Sequence, residues 1–98
     1  MRLEFHPEAE RELIESAIYY ESQVTGLGKR FESEVRRATD LLLHQPEIGH
    51  PLNVPPFRKF ILSRFPFHLF YSLTGDTLRI EAVAHQSRRP GYWKSRRG

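Results

Sequence analysis

The chain has 98 residues, of which 39% are hydrophobic and 28% are charged, and these proportions are typical of one globular domain. It contains no cysteine, which excludes a disulfide framework and a cysteine-based zinc site, and no apolar run approaches the roughly 18 residues that a membrane helix needs. The opening stretch, MRLEFHPEAERE, lacks the apolar core of a signal segment. We therefore expect a cytoplasmic protein with a single domain over residues 1–98 and no membrane partner.

The net charge of +3 is divided unevenly along the chain. Residues 1–45 contain six Lys or Arg and nine Asp or Glu, whereas residues 46–98 contain nine and three. The second half is therefore basic, which favours a polyanion or an acidic protein as partner.

The chain begins with the pattern of a short strand followed by a helix. Residues 2–5 alternate in polarity, which indicates an edge strand, and Pro7 then marks a helix start. The apolar residues that follow recur at helical spacing, and they are Ala9, Leu13, Ala17, Tyr20 and Val24. Gly26 predicts the end of this helix, because glycine readily adopts the left-handed conformation found after a helix C-terminus.

A second helix is predicted directly after Gly26. Its apolar stripe consists of Leu27, Phe31, Val35, Ala38 and Leu42. The helix should end by His44, because Pro46 disfavours helical structure in the residue before it. A link this short predicts an antiparallel helix hairpin.

Three strands are predicted after a proline-rich connection over residues 46–56. Gly75-Asp76 predicts a two-residue hairpin turn, and Phe65-Pro66 predicts a second turn. The first turn sets the pairs Thr74–Thr77, Leu73–Leu78, Tyr71–Ile80, Leu69–Ala82 and Phe67–Ala84. The second turn places Leu62 and Phe60 beside Leu69 and Tyr71.

Alternation along these strands gives one apolar face, which the helices should cover, and one mixed face. The mixed face carries Lys59, Ile61, Ser63, His68, Phe70, Ser72, Arg79, Glu81 and Val83. It is either an ordinary solvated face or a shallow binding surface. The order of elements predicts an α+β fold, β-α-α-β-β-β, with an antiparallel sheet and the N-terminal helical hairpin packed on one face.

Several groups of residues, in this order along the chain, resemble the RelE/ParE toxin superfamily. The clearest are Phe5-His6-Pro7-x-Ala9, Gly26-Leu27-Gly28-x-Arg30-Phe31, Arg64-Phe65-Pro66-Phe67-x-Leu69-x-Tyr71 and Ala82-Val83-Ala84-His85-x-x-Arg88-x-Pro90-x-Tyr92-Trp93. The resemblance covers essentially the whole chain. It implies the same fold and a small cytoplasmic toxin of a bacterial type II toxin–antitoxin system, also called a plasmid stabilisation protein. Such a toxin needs no cofactor and is neutralised by a cognate antitoxin.

The resemblance also implies two possible targets, because ParE-like members poison DNA gyrase and RelE-like members cut mRNA in the ribosome. In a RelE-like protein the catalytic roles would fall on Lys59, His68, Arg88 and Tyr92. However, His68 and Ile61 stand where the ribonuclease has an arginine and a second lysine. This incomplete basic set favours a gyrase poison, and the alternatives are the ribosome-dependent mRNA endonuclease and a non-toxic nucleic-acid or protein-binding module.

A basic and aromatic tail follows the last strand, and it favours a target-binding surface. The candidate target-binding residues are Arg79 and Glu81 on the last strand, His85 at its end, and Arg88, Arg89 and Trp93 in the tail. The tail continues with Lys94, Arg96 and Arg97. Three of the candidates have structural alternatives. Glu81 can pair with Arg79 or Lys59, His85 can hold the tail by a hydrogen bond, and Trp93 can pack over the helix hairpin. The five scattered histidines have no metal-ligand spacing, so no metal site is expected.

The antitoxin is expected on the helix hairpin and the sheet edge. Tyr19, Tyr20 and Phe31 are the predicted anchors, because the apolar helix stripes are broad for one small sheet and aromatic side chains are typical of protein interfaces.

Overall fold

The computed structural model describes residues 1–96, so Arg97, the last cation of the predicted tail, lies outside the described residues. The elements are β1 (Arg2–Phe5), α1 (Pro7–Gln23), α2 (Leu27–His44), β2 (His50–Pro51), β3 (Phe57–Ile61), β4 (Phe67–Thr74) and β5 (Thr77–His85). They form one five-stranded sheet in the order β1-β5-β4-β3-β2, and α1 packs against β5. No helix within residues 1–96 is long and apolar enough to span a membrane.

The predicted order of a strand, two helices and three strands is confirmed, with β2 as an additional two-residue strand at one edge. β1 lies at the other edge, as predicted. It pairs with β5 in the parallel direction, whereas β2, β3, β4 and β5 pair antiparallel. The sheet is therefore mostly antiparallel.

The helix hairpin is held together at its turn by backbone hydrogen bonds to one carboxylate. Gly26 has φ 88°, the left-handed conformation that the sequence predicts there. The Glu21 carboxylate accepts hydrogen bonds from the N–H groups of Gly26, at 2.8 Å, and Gly28, at 3.0 Å. A Cβ on Gly28 would collide with the carbonyl oxygen of Ala17, so a glycine is needed where the helices approach most closely.

A β-bulge divides the β4–β5 hairpin into a part with the predicted register and a part without it. Between the turn and Tyr71 the predicted pairs form, including Tyr71 opposite Ile80. Phe70 then lies opposite Ala82, so Glu81 is the extra residue of the bulge. Beyond that point the true pairs are Leu69–Val83 and Phe67–His85, and the predicted pairs Leu69–Ala82 and Phe67–Ala84 are wrong.

The turn between β3 and β4 is longer than predicted. The N–H of Leu62 donates to the carbonyl of Phe67 at 3.0 Å, so the turn covers residues 63–66 and not Phe65-Pro66 alone. Phe60 consequently lies opposite Leu69, two residues from the predicted register. A shift of two residues leaves every side chain on its predicted face.

The hydrophobic core lies between the helix hairpin and one face of the sheet. Its buried members are Ala9, Ala17, Phe31, Val35, Ala38, Leu42, Leu62, Phe67, Leu69, Tyr71, Leu78, Ile80 and Val83. Val83 belongs to this core because the bulge turns it inward, against the prediction that it faces outward. Phe31 is fully buried and its ring lies against Phe65 and Phe67, so its predicted role as an antitoxin anchor is wrong.

Candidate functional site

The outer face of the sheet, opposite the helices, is covered by the C-terminal tail through Trp93. The Trp93 ring stacks on Phe70 with centroids 4.9 Å apart and meets Phe57 edge-on at the same distance. Its buried indole N–H has no acceptor within residues 1–96, so stacking and apolar contact hold it in place. The side chain is 2% exposed.

This position corrects two predictions about Trp93. It does not pack over the helix hairpin, because Phe70 lies on the opposite face of the sheet. With 2% of its surface exposed it also offers a target very little surface, so its main role is to anchor the tail. The bulge leaves room for it, since Ala82 and Ala84 are buried outside the helix-side core and lie opposite Phe70 and His68.

The tail and the outer face enclose a cavity of about 300 Å³, which we call the tail cavity. It brings together most of the predicted site. Its basic and titratable residues are Lys59, His68, His85, Arg88, Arg89, Tyr92 and Lys94. No carboxylate from residues 1–96 lines it, so it is a positively charged recess with aromatic walls.

His68 and Tyr92 are the residues of the tail cavity with clearly perturbed pKa values, and they shift in opposite directions. Partial burial, together with the charge of Lys59, lowers the pKa of His68 below its usual range. His68 is therefore mainly neutral at neutral pH. It can accept a proton or a hydrogen bond there, but it adds little positive charge.

His85 holds the start of the tail, as one of the two interpretations of the sequence predicts. Its Nδ1 accepts a hydrogen bond from the N–H of Ser87 at 3.0 Å and lies 2.8 Å from the hydroxyl of Ser87. Its backbone carbonyl accepts from the N–H of Arg88 at 3.0 Å. These bonds close the turn that carries Arg88 away from β5.

Arg88 lies at the rim of the tail cavity without a carboxylate partner in the described part of the chain. Its guanidinium carbon sits 3.7 Å above the centre of the Tyr92 ring, a cation–π contact that fixes its position and leaves its donors available. Arg88 and His85 also line a second groove, of about 480 Å³, whose opposite wall is α1 with Tyr19 and Tyr20. Arg88 thus stands between the outer face of the sheet and the helix side of the molecule.

The hydroxyl of Tyr92 is engaged in a hydrogen bond and is not free for catalysis. It donates to Glu12 Oε2 at 2.6 Å. Burial, the hydrogen bond to Glu12 and the negative charge of Glu12 all raise the pKa of Tyr92 well above its usual range. A tyrosine in this state does not act as a base at neutral pH, which counts against the catalytic role that a RelE-like protein would give it.

The same carboxylate binds Arg96, so Glu12 is the residue that sequence reasoning missed. Arg96 Nη2 lies 2.6 Å from Glu12 Oε2, and both side chains are 15% exposed. In the sequence Glu12 looks like one of several acids that suit the opening turns of a helix. The one available signal is its place directly before Leu13 on the apolar stripe, which puts its carboxylate at the edge of the buried face.

Arg79 and Glu81 lie on β5 but do not line the tail cavity. Glu81 Oε2 accepts a hydrogen bond from the Ser72 hydroxyl at 2.8 Å, and Arg79 Nε is 3.8 Å from Glu4 Oε1 on β1. The predicted ion pair from Glu81 to Arg79 or Lys59 is therefore absent from residues 1–96. A target contact by Arg79 or Glu81 stays a prediction. Both residues lie outside the tail cavity, which the other candidates line.

A separate apolar surface runs along the outer side of α1. Ile14, Ile18 and Tyr19 are 49%, 64% and 60% exposed. Tyr20 is half-buried, with its ring edge-on to Tyr19 and Phe65. In residues 1–96 no group of three or more His, Cys, Asp or Glu side chains is placed to hold a metal ion.

Comparison with known proteins assigns the family. A family model described as "ParE toxin of type II toxin-antitoxin system, parDE" matches residues 3–90. The chain belongs to the ParE toxin family. This confirms the predicted superfamily and the predicted toxin function, and a toxin of such a system has an antitoxin as its partner.

A solved structure shares the fold of this ParE toxin. It is described as the chromosomal ParDE toxin–antitoxin system from P. aeruginosa, and the TM-score is 0.64 at 20% sequence identity. The match covers 87% of this chain and 95% of that chain. The comparison with curated proteins finds no significant match.

Proposed function

We propose that this ParE toxin arrests growth by acting on DNA gyrase in the cytoplasm, and that the tail cavity and its rim make the contact. The observation that carries the proposal is the concentration of available cations there. Arg88, Arg89 and Lys94 have no ion pair within residues 1–96, and no carboxylate from those residues lines the cavity. The planar guanidinium of Arg88 suits two parallel hydrogen bonds to a carboxylate or a phosphate.

A ribosome-dependent mRNA endonuclease is the second candidate function. The observation in its favour is that Lys59, His68 and Arg88 share one cavity, as cations and a base around a phosphate would. The observation against it concerns the fourth catalytic candidate, Tyr92. Its hydroxyl is hydrogen-bonded to Glu12 and its pKa is raised, so it does not act as a base at neutral pH. Gyrase remains the preferred target, because the family is ParE and the ribonuclease set is incomplete.

Two assays on the purified toxin separate these functions. The first measures DNA supercoiling and DNA cleavage by gyrase, and the second measures mRNA cleavage in a translating extract. We expect inhibition of gyrase and intact mRNA. Cut mRNA with unaffected gyrase would establish the second candidate instead, and failure of both activities together with no growth arrest would favour a binding module.

Substitution of Arg88 tests the proposed surface directly. Arg88→Ala should abolish growth arrest at the toxin level that suffices for the wild type, while the free energy of unfolding stays within about 0.5 kcal/mol of the wild type because the side chain is exposed. Arg88→Lys keeps the charge without the planar fork and should rescue only partly. Arg36→Ala, on the exposed side of α2, is the matched control and should keep full toxicity.

We also propose that the antitoxin covers the outer side of α1. Ile14 and Ile18, four residues apart, expose apolar side chains on one side of the helix, and the adjoining Tyr19 widens this surface, which suits an apolar partner segment. Hydrogen exchange of the toxin with and without its cognate antitoxin tests this placement. Protection should concentrate in residues 7–23, and an unchanged exchange rate across this helix would show that the antitoxin binds elsewhere.

A further inference from the structure

The carboxylate of Glu12 is the most completely bonded side chain that connects the tail to the rest of the molecule. Its Oε1 accepts from the N–H of Val83 at 2.9 Å and from Arg96 Nη1 at 3.1 Å. Its Oε2 accepts from the Tyr92 hydroxyl and from Arg96 Nη2, each at 2.6 Å. Four donors from β5 and the tail thus meet on one residue of α1.

Glu12 and Arg96 also bond backbone groups of β5 at an edge where no strand pairs with it within residues 1–96. The pairing of β1 with β5 ends where Phe5 lies opposite Ile80, so further along β5 the same edge has no neighbouring strand within residues 1–96. There Glu12 accepts from the N–H of Val83, and Arg96 Nη1 donates to the carbonyl of Glu81 at 3.0 Å. One ion pair between helix and tail takes the place of the missing strand.

The position of Arg88 depends on the same residue through Tyr92. Glu12 fixes the hydroxyl end of Tyr92, and the Arg88 guanidinium lies 3.7 Å above the centre of that ring. Arg96 approaches the ring as well, at 5.1 Å. If the Tyr92 ring is released from Glu12, Arg88 loses the surface that holds it at the rim of the tail cavity.

We propose that Glu12 is a positioning residue for toxicity, which clamps Tyr92 and Arg96 and thereby holds Arg88 where it contacts the target. This inference rests on the proposed role of Arg88 in target binding. Glu12 itself makes no contact with the target, because its carboxylate is bonded on both oxygens and only 15% of the side chain is exposed.

The first test uses the one tryptophan as a built-in reporter of the tail. Trp93 is buried on the outer face and adjoins Tyr92 in the sequence. Glu12→Gln keeps the shape of the side chain but replaces one acceptor oxygen by an NH₂ group, so at least the donors on that oxygen lose their acceptor. Tyr92→Phe removes the hydroxyl and keeps the ring under Arg88. Both variants should shift Trp93 emission to longer wavelength and increase its quenching by acrylamide, while the far-UV circular dichroism stays native.

The second test measures potency as the level of toxin that arrests growth. Glu12→Gln should raise the required level by about tenfold, the factor expected for losing a hydrogen bond to a charged group. Combined with Arg88→Ala, it should have no further effect, because Glu12 acts through Arg88. Glu10→Gln, on the same helix with no side-chain hydrogen bond or ion pair in the described residues, is the control and should match the wild type.

The outcomes distinguish this inference from the proposed function. If Arg88→Ala lowers potency but Glu12→Gln leaves potency and Trp93 quenching unchanged, the positioning role is wrong and the target surface stands. If the potency losses of Glu12→Gln and Arg88→Ala add in the double variant, the inference is also wrong, because Glu12 would then act independently of Arg88. If Arg88→Ala itself keeps full potency, the proposed surface fails, and the positioning role fails with it.

Discussion

The β-bulge at Glu81 makes a quantitative prediction about Val83. An uninterrupted register would leave Val83 on the outer face, whereas the structure places it in the core with 2% of its surface exposed. Val83→Ala removes two buried methyl groups, at about 0.8 kcal/mol each, and leaves a small cavity besides. We therefore expect a loss of about 2 kcal/mol. The hydrogen bond from the Val83 N–H to Glu12 is unaffected, because it belongs to the backbone.

Thermal and urea unfolding of the purified toxin measure this effect. For a domain of this size, a loss of 1 kcal/mol lowers the melting temperature by about 4–8 °C, so Val83→Ala should lower it by about 8–16 °C. Val54→Ala is the matched control, because the same atoms are removed from a side chain that is 43% exposed. It should change stability by less than about 0.5 kcal/mol. Equal melting temperatures for the two variants would refute the bulged register.

Three further predictions concern stability, partner binding and pH. Tyr71→Phe should cost about 1–3 kcal/mol in urea unfolding, because the buried hydroxyl donates to the Pro46 carbonyl at 2.7 Å and accepts from the Gly49 N–H at 3.0 Å. Tyr19→Ala should weaken antitoxin binding by at least tenfold in calorimetry without changing the melting temperature; equal affinity would exclude Tyr19 as an anchor. Because the pKa of His68 is lowered in the folded state, its contribution to stability is present above the unfolded pKa, near 6.5, and is lost as pH falls through the folded value. Wild type should therefore lose stability relative to His68→Gln between pH 7 and pH 5, and parallel curves would contradict the lowered pKa.

The sequence is sufficient for the order of the helices and main strands, and for their faces as far as the bulge at Glu81, because these depend on short-range patterns. The four- and three-residue spacings of the apolar stripes predict both helices, and Gly26 predicts the break between them. The hairpin at Gly75-Asp76 sets the register as far as Tyr71. Beyond Tyr71 the register depends on which residue of β5 is left unpaired, and that choice depends on contacts far along the chain. Val83 is bonded to Glu12, 71 residues away.

The candidate site was predictable in composition but not in arrangement. Lys59, His68, His85, Arg88 and Arg89 could be named from their places on the outer face and in the tail, and they do line one cavity. What closes the cavity is Trp93 packing on Phe70, and composition cannot distinguish a buried tryptophan from an exposed one. Glu12 was missed because its partners lie 71 to 84 residues away along the chain.

The structure shows which cations of the basic second half are available to a partner and which are bonded within the fold. The basic second half suggests that the whole tail serves a polyanion or an acidic partner. Arg96, however, is bonded to Glu12 from the acidic first half, so one tail cation is committed to the fold. Among the described tail residues this leaves Arg88, Arg89 and Lys94 without an ion pair, and all three line the tail cavity. The acidic half thus anchors the tail through Glu12, and the tail cations that remain available lie together in a cavity that no carboxylate of residues 1–96 lines.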